Sequence, residues 1–181
     1  MKRFMFVLAL LLVVGLSAAW AQSEAEALVT AEVENELILV NIDEDWGLFS
    51  PGNSYVVTPG GFKEPPGPGE GPGNQVGSPG FEVDGNAGSD VLISLVLPAA
   101  FVSDDENGTL PLSNWTYGWN YDIDPGVAFI QAGPVVGNAV SLSIGGGAAS
   151  GVFFGATVTV PVTAFPGGYT AQIIGSATYI Q

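Results

Sequence analysis

Carboxylates are the side chains most able to do chemistry in this sequence, because it contains no histidine and no cysteine. That composition excludes histidine-based acid–base catalysis, cysteine nucleophiles and metal sites built on either residue. A serine nucleophile would need a desolvated lysine, but Lys63 lies in a glycine- and proline-rich stretch where we expect a loop. Asp122 and Asp124 are two residues apart, so on a strand they would face the same side. They could then supply the pair of carboxylates that glycoside hydrolysis uses. No pattern around them indicates a cleft, so we predict that the protein is not an enzyme.

Two acidic loops contain the oxygen donors that calcium prefers. One combines Asp84, Asn86 and Asp90, and the other is a run of four residues: Asp104, Asp105, Glu106 and Asn107. Neither matches the calcium loop of EF-hands, which needs a glycine and a glutamate at fixed positions. The same residue types are common in solvated turns. Calcium is therefore the one candidate ion, and no other cofactor is predicted.

An aromatic stripe lies along one predicted strand, where Trp115, Tyr117, Trp119 and Tyr121 alternate with smaller residues. Alternate residues of a strand point to the same side. If that side is exposed, Trp115, Tyr117 and Trp119 form a platform on which sugar rings stack, as in a carbohydrate-binding or adhesive module. If it is buried, the rings cover one face of the core. We favour the core, because large exposed apolar patches are uncommon in the absence of a function.

The start of the chain has the features of a signal peptide. Lys2 and Arg3 precede the apolar run Phe4–Leu16, which is short for a membrane span, and Ala19-Trp20-Ala21 fits a cleavage site. We predict that residues 1–21 are removed and that residues 22–181 form a single domain. The protein is then secreted, to the periplasm, the cell surface or the medium, and no later apolar run is long enough for a membrane helix.

The predicted mature chain is strongly acidic. The sequence has 18 acidic and three basic residues, and two of the bases lie in the signal peptide, which leaves Lys63 alone. Such a chain repels nucleic acid and anionic membranes, so neither is a predicted partner. High charge often accompanies disorder, but the 47% hydrophobic content favours a folded core.

Short strands separated by glycine and proline turns predict an all-β fold, an antiparallel sandwich. Val91–Leu97 is apolar on both faces, which is typical of a central strand. From Pro59 to Gly80, 14 of 22 residues are glycine or proline. Because proline lacks a donor and ordering glycine costs entropy, we predict a mobile loop that forms no ladder. The predicted strands are Leu28–Val33, Leu37–Ile42, Tyr55–Thr58, Phe81–Asp84, Asp90–Leu97, Trp115–Tyr121, Val127–Gln131, Ala139–Ile144, Ala156–Val162 and Tyr169–Ile180.

Both ends of the predicted domain have alternating patterns suited to strand pairing. The stretch Gly167–Gln181 leaves a tight turn and is predicted to run extended to the end, forming a hairpin with the preceding strand. At the other end, Gln22–Val33 has alternating small apolar residues and could insert into a neighbour's sheet as a donor strand. Between the two, we favour pairing within its own sheet, because local pairing is the commoner outcome. The residues predicted to contact a partner strand are Val29, Ala31, Val33, Tyr169, Ile173 and Tyr179.

Three local patterns resemble a known group of proteins. They are Asp45-Trp46-Gly47 followed by Pro51-Gly52, then Phe81-x-Val83-x-Gly85 before the strand Val91–Leu97 and Pro98, and last Gly151…Gly155-Ala-Thr-Val leading to Gly168-Tyr169 and Thr178-Tyr179. Together they resemble secreted bacterial β-sandwich domains of unknown function and their neighbours, the spore-coat-U-type and chaperone–usher pilin subunits.

The resemblance implies an immunoglobulin-like or pilin-like sandwich that serves as a structural or surface subunit. It also implies assembly with copies of itself or homologous subunits by strand addition, and a periplasmic chaperone as a partner. Gly168 stands where pilins have the glycine of their last strand, whereas Tyr179 is one residue earlier than the pilin aromatic.

Overall fold

Twelve strands and no helix form the part of the chain that the computed structural model describes, residues 36–71, 73, 75–146 and 149–180. Every strand pair is antiparallel, which confirms the all-β prediction. None of these residues belongs to a long apolar helix of the kind that crosses a membrane. The strands are β1 (Ile38–Ile42), β2 (Ser54–Val57), β3 (Lys63–Glu64), β4 (Gly80–Asp84), β5 (Asp90–Val96), β6 (Ala100–Ser103), β7 (Thr109–Asn120), β8 (Gln131–Pro134), β9 (Ala139–Ser143), β10 (Ser150–Thr159), β11 (Tyr169–Thr170) and β12 (Ile174–Tyr179).

The larger sheet has nine strands and is built around the long pair β7 and β10. This pair runs from Gly151 opposite Asn120 to Val158 opposite Leu112, with a bulge between Gly155 and Thr157. The first half of β10 pairs with β4, which carries β1, and the second half pairs with β2, which carries β3. In the same way β7 pairs with β6 and then with β8, and β11 lies outside β6. The two halves of the sheet therefore have different neighbours.

A second sheet, in the order β12-β5-β9, covers one half of the larger sheet. Its middle strand β5 buries Val91, Ile93 and Leu95, while the residues between them face outward. The prediction of a central strand here is confirmed. The two layers enclose what we call the sandwich core, made of Phe81, Val83, Val91, Ile93, Leu95, Tyr117, Trp119, Val140, Leu142, Ile144, Val152 and Phe154.

Loops instead of strands cover the other half of the larger sheet. Here β2, β7 and β10 present Tyr55, Leu112 and Val158, and Trp46 packs against this face from the segment after β1. We call this cluster the second core; its buried members are Trp46, Tyr55, Val57, Leu110, Leu112, Ala156, Val158 and Val160. Because its lid is built from loops, this half of the sheet is less completely closed than the sandwich core.

Three strand predictions near the end of the chain are wrong. The final stretch is not one strand, because β11 and β12 are separated by Ala171–Ile173. Nor does it form a hairpin with the strand before it: β11 pairs with β6, and β12 pairs with β5 in the other sheet. The break lets the chain cross from one sheet to the other. Val127–Ile130 is turn and irregular structure, and the strand β8 begins only at Gln131.

The described residues of the glycine- and proline-rich stretch, 59–71, 73 and 75–80, include a strand pair, so the prediction that the stretch forms no ladder is also wrong. It contains β3, which pairs with β2, and a bridge between Phe62 and Gln75. The backbone N–H of Val76 donates to the carbonyl of Gly61 at 2.6 Å. The hydroxyl of Ser78 donates to the carbonyl of Pro59 at 2.7 Å. The residues that are not proline thus supply enough donors to tie the stretch together.

Candidate functional site

Lys63 is fully buried, contrary to the prediction that it lies in a solvated loop. Its ammonium group donates to the carbonyl of Trp46 at 3.0 Å, the carbonyl of Leu48 at 2.7 Å and Oε1 of Glu70 at 2.9 Å. An ammonium group has three N–H donors, so each has an acceptor. The nitrogen also lies 4.8 Å from the ring centroid of Phe49, within the range of a cation–π contact. Through these bonds Lys63, a residue of β3, holds the segment that contains Trp46 and Leu48 in place; we call that segment the loop lid.

Glu70 completes this contact from within the glycine- and proline-rich stretch. Burial raises the pKa of its carboxyl. Hydrogen bonds from Lys63 and from the backbone N–H groups of Gly67 and Leu48 lower that pKa, as does the attraction of the Lys63 charge. The net effect is a pKa below the ordinary value of 4.5. Gly47 makes room for the pair, since a Cβ there would lie 2.8 Å from Oε1 of Glu70. Its φ of +70° also favours glycine. Because every ammonium donor is engaged, the arrangement fits a structural cation rather than a nucleophile.

A cleft of about 840 Å³ opens beside the contacts of Lys63, over the second core. Leu110, Leu112 and Trp115 of β7 line it from the sheet side. One wall is the segment between β1 and Pro51, and the other is the segment from Ala164 to Ile173. The size is in the range of pockets that hold small ligands, about 300–1,000 Å³.

Aromatic rings line the cleft. Trp46 lies edge-on to Phe101 with ring centroids 5.4 Å apart, and 6.0 Å from the ring of Trp115. Tyr169 lines the same space from β11. The ring of Trp46 is only 5% exposed, and its Nε1 has no hydrogen-bond acceptor among the residues the structure describes. A buried donor without an acceptor costs about 1–3 kcal/mol, so this indole is a point of unmet hydrogen bonding.

Acidic side chains stand on both walls of the cleft. Asp43, Glu44 and Asp45 follow β1 and are exposed. Asp104 lies on the opposite wall, where its carboxylate is beside Gly168 and its backbone N–H donates to the Gly168 carbonyl at 3.1 Å. The described lining contains no basic side chain. The cleft is thus aromatic inside and negatively charged at its walls.

The predicted sugar platform is not an exposed surface. Tyr117 and Trp119 are 8% and 5% exposed and belong to the sandwich core, as the favoured interpretation of the stripe expected. Trp115 is partly buried and contacts both cores, because the bulge between β7 and β10 lies next to it. Tyr121 lies beyond the strand and is half exposed.

The acids predicted as calcium ligands have hydrogen-bonding roles in turns and strands. Asp105 accepts from the hydroxyl of Ser103 at 2.6 Å and from the N–H of Asn107, and these bonds lower the pKa of its carboxyl. Asp84 accepts from the N–H of Gly85, and Asp90 from the hydroxyl of Ser143. Across the described residues, no three histidine, cysteine, aspartate or glutamate side chains are grouped to hold a metal ion. Calcium binding stays a prediction.

The remaining predicted site residues have separate positions. Asp122 and Asp124 are exposed in the turn after β7, and Asp124 accepts from the N–H of Gly126 at 2.8 Å, the bond of a tight turn. Ile173 and Tyr179 pack against the sandwich core, whereas Tyr169 packs against the second core. Val29, Ala31 and Val33 lie outside the described residues, as do the predicted signal peptide and the predicted strand Leu28–Val33.

The cleft itself was not predicted from the sequence. Its walls come from segments more than a hundred residues apart, and only the fold brings them together. One signal was present in the sequence, because Trp46 directly follows the acidic run Asp43–Asp45, and this tryptophan is buried beside the cleft.

The fold and cleft define the chain as an antiparallel all-β domain of sandwich-like build with an acidic, aromatic cleft. Comparisons of the chain with family models, curated proteins and solved structures give no match.

Proposed function

We propose that the chain is a non-enzymatic structural or surface subunit with a pilin-like, immunoglobulin-like sandwich, exported by its signal peptide, that joins neighbours by β-strand addition. The observation that carries this proposal is a pair of open strand edges on one side of the sandwich. Among the described residues, β1 pairs only with β4, and β12 pairs only with β5. Strands at the edge of a sheet are the strands to which a partner's strand is added.

The two edges lie next to each other, one in each sheet. Leu39 of β1 faces inward, and its Cδ2 lies 3.1 Å from where a Cβ on Gly175 of β12 would be. On the other side of β1, Ile38 and Val40 are 44% and 48% exposed. These side chains stand on the outer face of the sheet, and β1 contains no lysine or proline of the kind that usually protects an edge strand.

The donor in this proposal is the segment Gln22–Val33 of a neighbouring copy. Its alternating small apolar residues match the two-residue period of an added strand. The donor segment contains glutamates, and acidic residues directly follow β1, so copies repel each other at low ionic strength. Assembly therefore strengthens as salt is added.

Sedimentation velocity of three proteins tests the proposal. We expect the full chain to form larger species that increase with salt, and deletion of Gln22–Val33 to leave monomers. The double substitution Ile38→Lys and Val40→Lys should do the same. Its matched control changes Val136 and Val162, which are 74% and 81% exposed away from these edges, to lysine and should assemble normally. A full chain that stays monomeric, or a deletion variant that assembles equally well, would contradict strand addition.

The sugar-binding alternative has less support from the structure. Two of the three rings proposed for it, Tyr117 and Trp119, are buried in the sandwich core, so we expect their replacement to destabilise the fold. The chain is thus better described by its edges than by an aromatic platform.

A further inference from the structure

We infer that the cleft over the second core binds an extended basic segment of another polypeptide, in which lysine or arginine residues alternate with apolar ones. This binding site is separate from the strand edges and does not depend on strand addition. Three features of the cleft carry the inference: its aromatic lining, its acidic walls and the unmet donor of Trp46.

The aromatic lining suits long cationic side chains. Lysine and arginine lay their methylene stems on apolar surfaces while the charged end reaches a polar rim. The partly exposed rings of Trp115 and Tyr169 can also meet the cation through their faces, and tryptophan is the strongest partner for such contacts. With about 840 Å³, the cleft has room for a short stretch of chain rather than one side chain.

The acidic walls set the charge of the occupant. Asp43, Glu44 and Asp45 on one wall and Asp104 on the other surround a space whose described lining has no compensating base. The formal net charge of the whole chain is −15, which adds a long-range attraction for cations. An acidic or neutral segment would gain no electrostatic attraction from these acids. The acids would also continue to repel one another.

The indole of Trp46 distinguishes a polypeptide from a simple cation. Its Nε1 is buried without an acceptor among the described residues. A lysine or arginine side chain has no acceptor to offer, whereas the backbone of an extended segment has a carbonyl at each residue. A polypeptide that carries basic side chains therefore satisfies both the walls and the indole.

This chain cannot supply the basic segment itself. After Arg3 its one base is Lys63, which is buried and bonded to Glu70. The segment of residues 22–35 has four glutamates and no base, so its entry into an acidic cleft is electrostatically opposed. The occupant is accordingly a different protein, and a second copy of this chain is excluded on charge.

Calorimetric titration with three synthetic peptides tests the inference. In these blocked peptides valine alternates with lysine, with serine or with glutamate. We expect the lysine peptide alone to bind the full chain, with an affinity that falls as ionic strength rises. In ¹⁵N–¹H NMR spectra the Trp46 indole resonance, assigned by its loss in Trp46→Phe, should move on binding as its N–H gains an acceptor.

Two charge-matched triple variants locate the binding. Asp43→Asn, Glu44→Gln and Asp104→Asn together should weaken lysine-peptide binding about tenfold. The control changes the exposed acids Glu36, Glu64 and Asp122, outside the cleft, to their amides and should alter affinity less than about twofold. Equal weakening by both triples would reduce the effect to net charge and overturn the inference.

Other outcomes would also overturn it. Equal binding of the serine peptide would show that the walls do not select a cation. Lysine-peptide binding that appears only after deletion of residues 22–35 would assign the cleft to the chain's own segment. Retention on a neutral polysaccharide without peptide binding would assign it to sugars. An indole resonance of Trp46 that does not move would remove the role of its N–H and, with it, the case for a peptide backbone.

Discussion

A Lys63→Met substitution measures how much the buried ammonium group contributes to stability. Methionine keeps an unbranched apolar stem and removes the charge and its three donors. The change leaves the carbonyls of Trp46 and Leu48 without their donor, and Glu70 without its counter-ion. The cation–π contact with Phe49 is lost as well.

The expected loss follows from the burial of the two partners. Removing one member of a buried ion pair costs about 3–5 kcal/mol, because the other charge stays buried and unpaired. The Glu70 side chain is 13% exposed, so water partly replaces the ammonium group and the lower end, about 3 kcal/mol, applies. For a domain of this size, each kcal/mol moves Tm by about 2–4 °C, so Tm should fall by about 6–12 °C.

Thermal unfolding of Lys63→Met, Glu70→Gln and the double variant forms a double-mutant cycle. Since the two side chains are in contact, we expect the double variant to be more stable than the sum of the single changes predicts, by about 1–3 kcal/mol. Proteolysis gives an independent measurement. Lys63 is the one trypsin site after Arg3 in this sequence, and its burial means that cleavage requires local opening. Glu70→Gln should therefore accelerate tryptic cleavage.

Two results would refute this reasoning. A Tm for Lys63→Met within about 2 °C of the unchanged protein would show that the ammonium group does not fasten the lid. Rapid tryptic cleavage of the unchanged protein under native conditions would show that Lys63 is accessible, in conflict with its burial.

Three further predictions concern Glu70, Gly118 and Tyr179. The folded-state pKa of Glu70 is lowered, so its contribution to stability is complete above the ordinary value of 4.5 and is lost as pH falls through the folded value. In urea titrations at stepped pH, the stability difference between the unchanged protein and Glu70→Gln should therefore shrink over that interval. Gly118→Ala should cost about 1–3 kcal/mol, because its Cβ would lie 2.5 Å from the Phe129 ring, whereas Gly133→Ala, with nothing within 4 Å, is the control; equal urea midpoints would contradict this. Tyr179→Phe should cost about 1 kcal/mol, because the hydroxyl accepts from the N–H of Asn86 at 2.9 Å, and the exposed Tyr121→Phe should cost less.

Local patterns predicted strands that an apolar run marks. The run Val91–Leu97 predicted a central strand, and β5 lies in the middle of its sheet, although only every second residue of it is buried. The prediction failed where pairing depends on distant segments: β10 contacts β2, β4 and β7 rather than the strand that follows it in sequence. The local sequence does not show which distant strands pair within a sheet.

The glycine- and proline-rich stretch shows a second limit of sequence reasoning. Composition alone indicates a loop, since proline cannot donate to a ladder. This stretch is organised by the buried ammonium group of Lys63, which donates to the carbonyls of Trp46 and Leu48. Composition does not show that these carbonyls lie within reach. The cleft was missed for the same reason, because its acids and rings are assembled from distant parts of the chain.

Burial of Lys63 also determines how the exterior reacts with reagents. Among the described residues it is the only lysine, and its amine is inside. Acylation, glycation and aldehyde cross-linking, which require an exposed primary amine, find no side-chain target on this surface. Covalent attachment through amines is thereby directed away from the described fold, which leaves its strand edges and cleft chemically unaltered.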